Sequence, residues 1–251
     1  VRLIRDIVFN QFSVLILSIV AAISISAIVG CDIADFHWNG GDSEQFRSLF
    51  DWHFTPTRCL EGIVAAVPMT VLANTLEQSQ RTEAMLVNFS TTNMVISLFG
   101  RRKTEDDPSG SDGSEVMALS SVVGVSTGIS EEIIFRGLLP VAFFSLFHSI
   151  PLAILGQALV FAIGHLSPHA KMSENKLIGS LQFANGAWYG IVYLLAGGDI
   201  LPCIIAHTLH DIHVLCQTFM TTNNQMDYTA RASRANLSES ERRAIGELRE
   251  L

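Results

Sequence analysis

From Ile7 to Gly30 the chain runs without one charged residue. A helix needs roughly 20 residues to cross a hydrocarbon core, and in lipid the backbone must satisfy its own hydrogen bonds, so such a run is committed to helix. Further apolar runs occupy about 60–76, 116–147, 150–165, 177–196 and 200–220. Together they predict an all-α fold, a polytopic transmembrane helix bundle of about six to eight spans embedded in the lipid bilayer. Composition agrees, because 49% hydrophobic residues, only 16% charged and a mean hydropathy of +0.36 suit a membrane better than a soluble domain. The net charge of −8 gives nucleic acid nothing to bind, which excludes that class of partner.

The punctuation between the runs divides the chain into N-terminal membrane segments at 1–100, a polar linker at 101–115, a second membrane bundle at 116–220 and a polar tail at 221–251. The first run lacks a short apolar core followed by a small-residue cleavage site, so it reads as a retained anchor; the chain opens on Val1, which leaves room for a targeting sequence upstream. Residues 31–59, rich in Asp and Gly, form an extramembrane loop. Leu60–Leu76 is short enough for a tilted span or a re-entrant segment. Met85–Phe99 is interrupted by Asn88, Ser90, Thr91, Thr92 and Asn93, and this favours a position along the interface. The run at 116–147 holds Gly128, Ser130, Gly137 and Pro140, so it should be kinked or built from two pieces. In the tail, Ala244, Ile245, Leu248 and Leu251 have the spacing of a short amphipathic helix.

Basic residues collect at Arg2 and Arg5, Arg101–Lys103, Lys171 and Lys176, and Arg231–Arg243. Basic clusters mark the cytoplasmic side. One topology places all four there: six spans, no crossing at 85–99, both termini inside and the 31–59 loop outside. The cysteines Cys31, Cys59, Cys203 and Cys216 lack C-x-x-C spacing, which argues against thiolate metal sites. Cys31 and Cys59 would pair only if their loop faces an oxidising compartment, and two free thiols are the equal alternative.

Ionisable groups inside apolar helices are costly, so each is a candidate for function or for a specific pairing. Three segments carry them: Glu131-Glu132-Ile-Ile-Phe-Arg136, Phe161-Ala-Ile-Gly-His165 and His207-Thr-Leu-His-Asp211. Glu132 and Arg136 stand i, i+4 with the acid first, the favourable order for a salt bridge, which reads as a structural pair. Glu131 turns about 100° away from Glu132 on a helix and has no local partner, as a general base facing a polar cavity requires. His207 and Asp211, also i, i+4, point into one groove. A lone buried His is as often a structural hydrogen-bond donor as a catalyst, but three such sites in one bundle are harder to dismiss. His213 is rotated off this face and receives no role.

These three motifs, in this order on successive apolar helices over about residues 116–220, resemble the CPBP family. That family joins type II CAAX prenyl endopeptidases to bacteriocin-processing and self-immunity proteins. The resemblance implies an intramembrane endopeptidase acting on a prenylated or other membrane-anchored protein. Glu131 and His165 would activate water, His207 and the fourth residue would stabilise the oxyanion, and Glu132, Arg136 and Phe161 would support the site. Many members carry Asn where this chain has Asp211, so here the residue must be a protonated donor, an acceptor that orients His207, or a metal ligand. The expected chemistry uses no cofactor. The alternatives are a zinc protease with Glu131, His165, His207 and Asp211 as ligands, although H-E-x-x-H is absent, and a non-catalytic transporter or scaffold. Localisation is a multi-pass integral membrane protein, with endoplasmic reticulum, plastid and cell membrane all open.

Overall fold

The computed structural model describes residues 2–29, 52–103, 110–168 and 170–236. Within them the chain is helical: α1 (Arg2–Val29), α2 (Pro56–Glu77), α3 (Thr82–Phe99), α4 (Gly113–Glu132), a π-helical turn (Ile133–Leu138), α5 (Leu139–Phe147), α6 (Ile150–Gly164), α7 (Met172–Leu195) and α8 (Leu201–Asn236). The 31–59 loop before Trp52, the Cys31–Cys59 pairing and the helix proposed at 238–251 lie outside the described residues, and Cys203 and Cys216 are free thiols.

The long apolar run at 116–147 is built from two helices, as its glycines and proline suggest. Pro140 has no N–H to continue the ladder, and the backbone absorbs this by widening, so that Leu139 N–H reaches back five residues to the carbonyl of Ile134. Turns of this kind recur at functional sites. Asp112 caps α4 through Ser114 and Glu115, and Glu115 returns a bond to the Asp112 N–H. The Ser114 hydroxyl first, then the Glu115 N–H, hold the Asp112 carboxyl below its ordinary pKa.

The described residues of the 101–115 linker make specific contacts. Arg102 and Ser111 form an isolated parallel bridge, and the Arg102 N–H donates to Asn223 Oδ1 at 2.8 Å. That bond explains why α8 does not stop near 220. Asn223 is buried, its amide also donates to the Phe219 carbonyl, and the polar residues beyond Thr221 continue the helix to Asn236.

Helix α8 is the axis of the bundle, packed against α2, α3 and α4, while α6 lies between α5 and α7 and α1 lies along α4. Small residues permit the approach. A Cβ on Gly128 would collide with Thr208 Oγ1 and stand 3.1 Å from the Ile204 carbonyl, and one on Gly186 would stand 2.9 Å from Ala158 Cα. One core cluster centres on Ile133, Leu138, Tyr189, Cys203 and Ala206, and a second on Val95, Phe99, Val116, Leu215 and Phe219.

Among the described residues, three helical stretches are long and apolar enough to cross a membrane by length and composition: Leu3–Ala21, Pro56–Glu77 and Gly113–Phe144. Their outward faces are greasy, with Phe9, Leu17, Leu60 and Val64 all exposed, as lipid-facing surfaces require. Helix α6 is apolar but 15 residues long. Helix α8 does not reach the same hydropathy because it carries His207, His210, Asp211 and His213 in its first half.

Candidate active site

Three helices and the π-helical turn bring the seven singled-out residues to one place. The last turn of α4 supplies Glu131 and Glu132, and the π-helical turn supplies Arg136. Phe161 comes from α6, whose C-cap is His165. Helix α6 is 15 residues long, about 22 Å of rise, and His165 stands at its C-terminal end. His207 and Asp211 come from successive turns of α8.

Glu132 and Arg136 form the pair that their spacing predicts, with Arg136 Nη1 donating to Glu132 Oε1 at 2.9 Å and both side chains fully buried. The same oxygen also lies 2.7 Å from His207 Nδ1. The Arg136 guanidinium is sandwiched 4.8 Å from the Phe161 ring and 5.2 Å from the Tyr189 ring. Tyr189 in turn stacks on His207 at 5.6 Å and 22°, while Phe161 tilts against His165 at 4.4 Å. The two aromatic walls thus fix the cation and both imidazoles together.

Each histidine shows the site its Nε2. A carbonyl can only accept, so the 2.8 Å contact between His165 Nδ1 and the Phe161 carbonyl puts a proton on Nδ1. In the neutral ring this leaves the Nε2 lone pair free. His207 has the Glu132 carboxylate at Nδ1 instead, at 2.7 Å. The two rings therefore differ in what stands behind Nδ1, a backbone carbonyl for His165 and a carboxylate for His207.

The carboxylates follow a parallel plan. Gln11 Nε2 on α1 donates to Glu131 Oε1 at 3.3 Å, and Thr127 Oγ1 donates to Asp211 Oδ2 at 2.6 Å. The other oxygen of each faces the centre. Glu131 Oε2 is buried without a hydrogen bond and lies 3.9 Å from both His165 Nε2 and His207 Nε2; Asp211 Oδ1 lies 3.7 Å from His207 Nε2. His165 and Asp211 keep partial exposure, 30% and 25% of their side chains, and this opens the site on that side. Zinc held tetrahedrally by N and O ligands places donors roughly 3.4 Å apart. These stand wider, and among the described residues no group of three or more His, Cys, Asp and Glu is arranged to hold a metal ion.

Outside the cluster, His213 Nε2 bonds Asn74 Oδ1 at 2.9 Å, and buried His210 Nδ1 has no hydrogen-bond partner. Gln11, Thr127, Ser130 and Tyr189 lie at the cluster although the sequence assigned none of them to the site. The signal for Thr127 and Ser130 lay in the small polar run before Glu131, and for Gln11 in an amide placed within an apolar span.

Residues 113–213 match the family model described as type II CAAX prenyl endopeptidase Rce1-like. No curated protein and no solved structure matches the chain.

Proposed function

We propose, on the match of residues 113–213 to the type II CAAX prenyl endopeptidase Rce1-like family, that the chain is a membrane protease of the CPBP class and cleaves a prenylated, membrane-anchored protein by water activated on Glu131 and His165. The observation that carries this reading is Glu131 Oε2, a buried oxygen with no bond of its own, equidistant at 3.9 Å from two imidazole Nε2 atoms. One water bridges a gap of that size off the line between the atoms.

Glu131 Oε2 draws a proton from that water while the His165 Nε2 lone pair holds it in line. The water oxygen bonds to the scissile carbonyl carbon, and the carbonyl electrons move to oxygen. His207 Nε2–H, its imidazolium stabilised by Glu132, and a neutral Asp211 with its proton on Oδ1 donate to the oxyanion. Glu131 then delivers its proton to the departing nitrogen as the C–N bond breaks, which restores the carboxylate. No step requires a cofactor or metal. Burial of Glu132 and Arg136 between aromatic rings keeps competing water from the pair.

The reading also extends to the membrane. Beyond the three long apolar stretches, α6, α7 and the first half of α8 cross as shorter or more polar spans whose polar faces are turned to one another. This gives a multi-pass protein with the four basic clusters inside. The test is direct. Purified protein in detergent is given a farnesylated CAAX peptide, comparing wild type with Glu131→Ala, each with and without chelator. Release of the terminal tripeptide by wild type alone, unaffected by chelator, is the expected result; activity abolished by chelator and restored by zinc would replace this mechanism with a metal-dependent one.

A further inference from the structure

Helix α1 lies outside the segment that carries the family match, yet it touches the general base. Its packing stripe is Ile4, Val8, Gln11 and Leu15, at the spacing of a single helix face. Ile4 and Val8 join one core cluster and Leu15 the other. Gln11 is the polar residue of this stripe and sits between the two clusters. Toward lipid an amide in that place is pure cost; toward α4 it has two partners. Its Nε2 donates to Glu131 Oε1 at 3.3 Å, and its Oε1 accepts from Ser130 Oγ at 3.0 Å.

Both ends of the amide are therefore engaged, and the engagement gives it a direction. Buried Ser130 Oγ has one proton and three acceptors within reach, Gln11 Oε1 at 3.0 Å and the Ser126 and Thr127 carbonyls at 2.7 and 3.2 Å; the Glu131 carboxylate, which only accepts, is what turns the amide N–H toward itself and leaves the amide oxygen for Ser130. With its oxygen on Ser130, the Gln11 amide presents N–H to the carboxylate. Glu131 Oε1 is thereby anchored, and Oε2 is the oxygen left to face the two Nε2 atoms at 3.9 Å.

We propose that Gln11 is a positioning residue of the active site: held by Ser130, it clamps Glu131 Oε1 and so assigns Oε2 as the oxygen that works on water. Helix α1 is then part of the catalytic apparatus as well as an anchor. The inference rests on the protease reading for its kinetic consequence and on geometry alone for the clamp.

Two measurements on detergent-purified full chain test it. In Gln11→Met, which keeps length and packs as well against α4, kcat on the farnesylated CAAX peptide should fall about ten- to a hundredfold, the worth of a hydrogen bond to a charged group. KM and the unfolding temperature should stay unchanged. Ser130→Ala, which frees the amide to turn, should lose less. Independently of turnover, the infrared carboxylate stretch of Glu131, isolated by subtracting the Glu131→Gln spectrum at fixed pH, should shift in Gln11→Met. An unmoved band with unchanged kcat overturns the clamp, and so does a fall in kcat that tracks a fall in unfolding temperature, since that is mere undocking of α1. Should wild type cleave no peptide, the band still decides the clamp while the protease reading fails on its own.

Discussion

His207 Nδ1 lies 2.7 Å from Glu132 Oε1, the oxygen that also takes the Arg136 guanidinium at 2.9 Å. Glu132 is thus shared between a structural cation and the imidazole proposed to meet the oxyanion. The spacing of Glu132 and Arg136 announces their pairing, but nothing local in the sequence announces that a helix 75 residues later will use the same carboxylate. The Thr127 bond and the Glu132 bond also divide the labour on α8: His207 is oriented from below by Glu132, and Asp211 is held by Thr127.

Arg136→Ala should therefore do more than remove a surface charge. It strands Glu132 in a fully buried setting, and breaking a buried pair from one side costs about 3–5 kcal/mol. Chemical unfolding in detergent should show that loss, together with a lowered kcat because His207 loses its fixed acceptor. An unfolding midpoint equal to wild type would show that the pair does not hold α4 to the rest of the site.

For the water-activating pair, Glu131→Gln and His165→Ala should each lower turnover by roughly two to four orders of magnitude while the substrate still binds. A tight, uncleaved complex with fluorescently labelled prenyl peptide is the expected readout. Near-normal turnover in either variant removes that residue from the chemistry.

The approach of α4 to α8 should tolerate no bulk. Gly128→Val drives a side chain into Thr208 and the Ile204 carbonyl, and overpacking of this kind costs about 1–3 kcal/mol. Because His207 lies beside Thr208, activity should fall with stability. Gly113→Ala, at a position with open space around it, is the control and should change neither.

Much of this was readable in advance because it is local. Glu132–Arg136 is an i, i+4 pair, the break near Pro140 follows from a missing N–H, and a His at a helix end needs only an apolar run that stops early. What escaped was non-local. Gln11 looks like one amide in an anchor until α4 is laid beside it, and Tyr189 looks like an ordinary aromatic until it stacks on His207. The end of α8 was missed for a similar reason: residues 221–236 are polar and read as tail, but Asn223 is tied to the Arg102 backbone 121 residues earlier in the chain.

Topology can be probed by glycosylation, although one natural sequon is uninformative. In Asn88-Phe-Ser90, the Asn88 amide donates to the Leu76 and Glu77 carbonyls and Ser90 donates to Glu174, so packing alone blocks it. Asn236-Leu-Ser238, at the end of α8, should remain unmodified in microsomes because the basic cluster from Arg231 places it inside. A sequon introduced within 31–51 should be glycosylated. The reverse pattern would invert the topology.

Asp211 offers the sharpest test, because one conservative change separates three readings of it. Asp211→Asn keeps the shape and the Thr127 contact through the amide oxygen, and it turns a permanent N–H toward the place where Oδ1 now stands, 3.7 Å from His207 Nε2. If Asp211 donates as a neutral acid, the variant should retain much of the activity and lose the decline at rising pH, since an amide has no acidic proton to give up. If Asp211 served to orient His207, the amide would replace it at intermediate cost; but His207 already has Glu132 at 2.7 Å, so that cost should be small. A metal ligand behaves differently, because an amide binds metal less well than a carboxylate and activity would fall together with bound metal. The experiment is a pH–rate profile of Asp211→Asn beside wild type, with metal content measured on both. Retained activity with a flattened alkaline limb and no change in metal supports the donor; collapse of activity with loss of metal sinks it.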